Sequence, residues 1–540
     1  MLGDLEVLLW PVLIFTALLF SLLVTVRLSD ARIDPVAAMK ARFFLGVPWG
    51  SVVILLGVIG VYLFVQSGLR DLTNPVFLPF VNWSYLYPTG VILAPFTHGS
   101  YGHLISNVLT GLVLLPVAEY IYGHYRHNDP WQLKYSRRDH PLVRALVIFP
   151  GAVLLVAMFS SLFAWGPVIG FSGVVFAAAG FAVIKFPILT IILLFARSVI
   201  LRVIEAMLDP VVVAEAREVV QEPGWVGVSF QGHAIGFLLG AVLCIILLHH
   251  RRNDRPASAW RLWIGLVVIG IAMSLWAIWF GRGGGQYVLY QGVGVTLVFL
   301  GVGLVIIAAK VSPHPAVSSI SWHHVAILGV VCPLLVISLA AVPMNMMTVV
   351  DYDRPDESIT VDSYDVFYSD DIETSFRSAI GILDTDSPTT TSGVIVVSEE
   401  RHLWMNAKRS SDLAREGSTT ISLGGIATRT DVTVDRHGWT PIGNDTVYQV
   451  DIATDDESKT SFTAAERTAD ATIAGYVVGI AIIDEEFVVF AEDDAEERYE
   501  ADMPETNESV TLGELTIERD EQRLLASSND TTVTVAQRTT

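Results

Sequence analysis

An α-helical polytopic membrane protein with a C-terminal all-β extracytoplasmic domain is the fold class that three observations predict. The 540-residue chain is 52% hydrophobic with a mean hydropathy of +0.52, too apolar for an ordinary soluble protein. Its apolar residues are gathered into runs of about 20, the length that crosses roughly 30 Å of hydrocarbon. Past Met346 those runs stop, and short stretches alternating apolar with polar residues take over.

Ten spans are predicted, at 8–27, 51–69, 103–121, 144–165, 172–184, 187–207, 229–248, 261–280, 288–308 and 324–345. The fifth is short. The first lacks an A-x-A-like cleavage site and is over-long for the apolar part of a secretion signal, so it is expected to stay as a helix. Residues 70–97, broken by Asn, Pro and Gly, read as an ordered outer loop whose Trp83, Tyr85 and Tyr87 suit the headgroup belt. Residues 208–228 read as a second outer loop, acidic and closed by a Pro-Gly turn.

Orientation follows from the basic loops. Arg32, Lys40 and Arg42 follow the first span, Arg126, Lys134, Arg137 and Arg138 the third, and Arg251, Arg252 and Arg255 the seventh. Alternate loops are then cytoplasmic, which puts the N-terminus and everything after 346 outside the cell membrane. The sequons at Asn82, Asn444, Asn507 and Asn529 all fall on that outer side.

Segments such as SGVIVVSE, DTVYQVDIA and GYVVGIAIIDEEFVVFAE predict short antiparallel strands in a sandwich or barrel, with one helix-like stretch at 404–416. Residues 346–540 hold 41 acidic and 14 basic residues, a net charge of −27 against +6 for the rest of the chain. Only 6 of the 34 basic residues are lysine. Such an acid-rich, lysine-poor exterior suits solubility in high salt and points to a halophilic source. Cys244 and Cys332 both fall in spans, where they read as small apolar fillers outside any disulfide framework.

Three polar constellations lie within 51–250. In HGSYGHLISN (98–107), His103 and Asn107 are four apart and share one helical face, with His98 about a turn above. In GFSG (170–173), Gly170 and Gly173 flank Ser172 at the start of the short fifth span, where free N–H groups and the positive dipole end favour an oxyanion. In GHAIGFLLG (232–240), Gly232, Gly236 and Gly240 form a small-residue stripe beside His233. Singly, each has a plain reading as polar glue or close packing between membrane helices. Together they place a serine, a base and polar donors at or below the outer membrane surface. Those are the parts that acyl chemistry needs.

With these motifs in this order, the stretch 51–250 resembles the rhomboid intramembrane serine proteases. HGSYGHLISN is similar to their H-x-x-x-x-H-x-x-x-N, GFSG to their G-x-S-G, and GHAIGFLLG to their H-x-x-G-x-x-x-G. The resemblance implies a six-span core over 51–250, preceded by one extra span and a cytoplasmic loop (1–50). It leaves three further spans at 251–346 and the acidic β domain at 347–540. It also implies that Ser172 is the nucleophile and His233 the base, with His103, Asn107 and the Ser172 N–H as oxyanion hole. No cofactor or metal is called for. The implied partners are single-span or other transmembrane substrates and membrane lipid, not nucleic acid. Two departures stand out. Phe176 occupies the position where relatives often carry a tyrosine stacked on the histidine, and the Trp-Arg pair common in the first outer loop is absent, Asn82-Trp83 being the nearest feature.

Three other readings compete. His98 and His103 could hold zinc, but an i, i+5 spacing splits them between helical faces and no nearby Asp, Glu or Cys completes a shell. An inactive rhomboid-like chaperone or adaptor would be expected to lack the serine or histidine. A transporter would use the polar groups to line a path, with spans eight to ten as further walls. Arg197, mid-span in 187–207, has no role in the sequence reading.

The charge of the C-terminal domain generates a prediction. Molar salt shortens the Debye length to about 3 Å, from about 10 Å at 0.1 M. An isolated 347–540 fragment should be β-rich and cooperatively folded in molar KCl and should loosen in dilute buffer. Circular dichroism through a salt titration reads this, and equal folding at 50 mM and 2 M would remove the halophilic inference.

Overall fold

The computed structural model describes residues 2–28, 35–125, 138–208, 229–251, 254–283, 286–310, 322–349, 354–374, 376–378, 390–493, 495, 497–529 and 531–539. The predicted outer loop after residue 208 and the basic positions Arg32, Arg126, Lys134, Arg137 and Arg252 lie outside these residues. Two compact units emerge: residues 1–75, 80–83 and 88–345 form the first, and 76–79, 84–87 and 346–540 the second.

The first unit is helical. Its membrane helices are α1 (Leu2–Leu28), α2 (Trp49–Val65, its last turn a π-helix), α3 (Tyr101–Tyr122), α4 (Pro141–Phe163) and α5 (Ser172–Lys185). They continue with α6 (Pro187–Leu208), α7 (Phe230–His250), α8 (Ala259–Ala272), α9 (Gln291–Lys310) and α10 (Trp322–Met344). Each predicted span therefore has a helix among the described residues. Helices α3, α4, α6, α7 and α9 are long and apolar enough to cross a membrane on their own. The chain is a multi-pass membrane protein with a β domain.

The eighth span needs correction. Instead of running through 261–280, α8 stops at Ala272, Ser274 takes a left-handed φ of 57°, and a hairpin (Trp279–Gly283 with Gln286–Leu289) occupies the rest. Gly281 and Gly283, in the first strand of that hairpin, oppose helix continuation.

Helix ends on the side predicted to be cytoplasmic are held by side chains. The Glu119 carboxylate accepts from the Gly50 N–H (2.9 Å), the Ser51 N–H (2.7 Å) and the Ser51 hydroxyl (2.6 Å), all at the start of α2. Free N–H groups and the positive dipole end favour an acidic group at that place. His124 Nδ1 accepts from the Phe44 N–H (2.9 Å), so its Nε2 carries the proton and donates to Glu119 at 2.6 Å. All of Glu119 and His124 is buried. Arg251 donates to the Ile121 and Tyr122 carbonyls (2.7 and 2.5 Å) at the C-terminal end of α3. One of the basic residues used to orient the chain is thus a helix cap as well.

The core lies where α5 and α7 cross. A Cβ added at Gly180 would fall 2.0 Å from the Phe237 carbonyl oxygen; at Gly236, 2.3 Å from that of Gly173; at Gly240, 1.9 Å from that of Ala177. Only hydrogen fits at these three points, so the backbones themselves are in contact. Phe171, Val175, Ala179, Val183, Phe237 and Cys244 pack around this seam. Cys244 is a buried filler as expected, whereas Cys332 is exposed.

Among the described residues of the second unit all strand pairings are antiparallel. Its largest sheet has eight strands and runs from Ser458–Thr463 through Thr428–Pro441 and Thr531–Thr539 to Ser509–Leu512. Two four-stranded sheets accompany it, one over 359–409 and one over 467–502. Trp439, Ile480, Val489, Leu515 and Leu524 bury one shared core. The helix-like stretch 404–416 is in fact a strand to Arg409 and a helix only over Ser410–Glu416, because Leu403–Arg409 completes a sheet with Thr390–Ser398. Of the sequon asparagines, Asn82 is fully buried in the first unit and donates to the Ser161 carbonyl at 2.6 Å, which removes it as a glycan acceptor. Tyr87, assigned by sequence to the headgroup belt, accepts a 2.8 Å hydrogen bond from Arg401 within the second unit.

Overpacking a tight core typically costs about 1–3 kcal/mol, and more where the obstacle is backbone. Gly240→Ala should therefore lower the melting temperature of the detergent-solubilised chain by several degrees. Gly57→Ala, where nothing lies within 4 Å, should leave it unchanged. Equal melting temperatures would show that the seam can open without penalty.

Candidate active site

Ser172 is the first residue of α5, preceded by Phe171 at the N-cap and by Gly170 at φ 112°. That backbone geometry, rarely open to a residue with a side chain, turns the chain sharply into the helix. It also lets polar side chains come close. A Cβ at Gly170 would lie 2.6 Å from the His103 ring and 3.5 Å from Asn107 Nδ2.

His233, near the start of α7, meets the serine across the seam, with its Nε2 3.0 Å from Ser172 Oγ. Phe176, one turn further along α5, stacks on the imidazole with ring centroids 4.0 Å apart and planes 12° from parallel. The Phe side chain thus supplies the stacking face that the sequence comparison leaves to it. His233 Nδ1 is buried and has no hydrogen-bond partner. Among the described residues no carboxylate stands behind this pair, and ring orientation falls to the Phe176 stack and the helix seam.

On the other side of Gly170, Asn107 is buried on α3 and its Nδ2 donor has no partner. Burying an unpaired amide is costly, and Asn107 borders the cavity from which an acceptor could reach it. His98 is fully buried, its ring edge-on to His103 at 5.0 Å, and its Nε2 accepts from the Phe171 N–H at 3.4 Å. Gln66 clamps the His98 backbone from both sides, accepting from its N–H (2.9 Å) and donating to its carbonyl (2.8 Å). Sequence reading missed Gln66, since one amide past an apolar run carries no signal.

Two cavities meet at the dyad. One, of about 310 Å³, is lined by Ser160, Gly170, Gly173, Gly232 and the dyad itself. The other, of about 490 Å³, is lined by Asn107, Phe176, Leu194 and Arg197 as well as the dyad. His103 borders both. Every site residue read from the sequence therefore gathers around one point, except Gly236 and Gly240, which serve the helix seam below it.

Residues 133–250 match the Rhomboid domain family. The chain carries a rhomboid domain. The matched segment contains Ser172, Phe176 and His233; His98, His103 and Asn107 precede it in sequence. No curated protein and no solved structure matches the chain.

The loop that leads into Gly170 is fastened by amides from outside the motifs of the rhomboid domain. Gln231 accepts from the Trp165 N–H (3.0 Å) and donates to the Phe163 carbonyl (2.7 Å). Asn345, just past α10 and fully buried, accepts from the Gly166 N–H (2.8 Å) and donates to the Ala164 carbonyl (2.7 Å). The Asn82 N–H donates to the Val168 carbonyl at 2.9 Å. Asn82, suggested by sequence as a loop feature, is a brace on this segment.

Proposed function

We propose that the rhomboid domain is an intramembrane serine endopeptidase that cleaves transmembrane segments of membrane proteins. The observation that carries this reading is the 3.0 Å contact between Ser172 Oγ and His233 Nε2 at the junction of two cavities, beside the unpaired donor of Asn107. His233 takes the hydroxyl proton as Ser172 Oγ forms its bond to the scissile carbonyl carbon. The carbonyl π electrons move to oxygen, where Asn107, His103 and the Ser172 N–H donate to the oxyanion. Collapse of that intermediate breaks the C–N bond, and His233 passes its proton to the leaving amine. A water, deprotonated by His233 in turn, attacks the ester and releases the acid, returning the proton to Ser172.

The presence of both dyad members favours this over an inactive rhomboid-like adaptor. The basic loops support an orientation with the N-terminus and the β domain outside the cell membrane.

The test is direct. A fluorophosphonate probe should label the wild-type chain and not Ser172→Ala, and cleavage of a single-span reporter should disappear in the same variant while membrane insertion persists. Undiminished cleavage by Ser172→Ala would end the protease reading.

Loss of one oxyanion donor typically slows acyl transfer by about 100- to 1000-fold. Asn107→Ala and His103→Ala should each do so in reporter turnover. Unchanged rates in both would reduce the two side chains to helix-packing contacts.

A further inference from the structure

Arg197 stands near the middle of α6, ten residues beyond Pro187 and thus roughly 15 Å along the helix axis. A cation at that depth in a membrane helix ordinarily faces protein or a water-filled space and finds a partner. Arg197 faces the larger of the two site cavities. Ile191, Leu194, Arg197 and Ser198 border it at helical spacing, opposite Asn107, Ser172 and His233. Its Nη2 donates to Ser106 Oγ at 2.6 Å, and Ser106 lies between His103 and Asn107 on α3. Its Nε is buried with no hydrogen-bond partner. Among the described residues no carboxylate is paired with it; the nearby Glu205 is taken by Arg202 at 3.0 Å. A guanidinium offers five donors in a planar fork that matches a carboxylate, and here one neutral hydroxyl occupies that fork.

We propose that Arg197 is a specificity-determining residue that receives an acidic side chain of the substrate, so that preferred substrates carry Asp or Glu close to the scissile bond. This rests on the protease reading, because the cavity it enters is the one that contains the dyad. A lipid phosphate is the other anion at hand. Phosphates lie at the membrane surface, whereas Arg197 is well inside the 22-residue α6, which favours the substrate carboxylate.

The experiment uses the full-length chain and a set of single-span peptides in which Asp is placed in turn at each position flanking the cleavage site, each with an Asn counterpart. Binding is measured on Ser172→Ala, which removes turnover from the readout, and cleavage on the wild type. At one position or two adjacent ones, the Asp peptide should bind on the order of tenfold more tightly than its Asn counterpart, the scale of one charge-assisted pair. Arg197→Gln should abolish that ratio and Arg197→Lys should keep part of it. Arg197→Glu should transfer the preference to Lys-bearing peptides. A flat binding profile across all positions, or a preference that survives Arg197→Gln, overturns the proposal. So does a flat peptide profile combined with loss of bound anionic lipid in Arg197→Gln, which would assign the residue to a phosphate. If Asp peptides bind preferentially but nothing is cleaved by the wild type, the protease reading fails while the acid-binding role stands.

Discussion

Everything the site does depends on how closely two helices approach. Ser172 and His233 are on α5 and α7, and a serine hydroxyl reaches an imidazole at 3.0 Å only if the helix axes are unusually near. Three glycines spread over both helices remove the Cβ atoms that would otherwise strike a facing carbonyl. The seam also sets the place of Phe176, whose ring lies flat on His233 because the same approach brings its turn of α5 against the imidazole. Lipid gives helices little hydrophobic reason to associate, so backbone contact of this kind carries the association itself.

Polar groups in the first unit are spent in two separate places. At one end, Glu119 and His124 satisfy each other and the start of α2, leaving no spare capacity among their named partners. At the dyad, Asn107 Nδ2 and His233 Nδ1 are left without partners although buried. A fully paired buried network fixes structure, while an unpaired buried polar group is costly. The contrast is one of partners and of exposure: Glu119 and His124 are fully buried and paired, whereas His233 is half-buried and borders both cavities.

The helices and the grouping of Ser172 with His233 were legible in the sequence because each depends on local patterns: a run of about 20 apolar residues, or a serine between glycines at a helix start. Span eight was misread because hydropathy continues past Ala272 into a hairpin, and composition alone cannot separate an apolar strand from the end of a helix. Arg197 looked anomalous for a related reason. Its partner Ser106 is 91 residues away, and nothing in the local sequence says which face of α6 turns toward α3. Gln66, Gln231 and Asn345 were invisible because single amides act only through tertiary neighbours.

Asn345 sets a limit on how the protein can be divided. Its side chain closes two backbone bonds of the segment 164–166, six residues before the serine. A protein trimmed to the six family-like helices would leave the Gly166 N–H and the Ala164 carbonyl facing an empty slot, each at a desolvation penalty of about 1–3 kcal/mol. The last three membrane helices are therefore no detachable appendage: in physical terms, the module that positions Ser172 ends at residue 345.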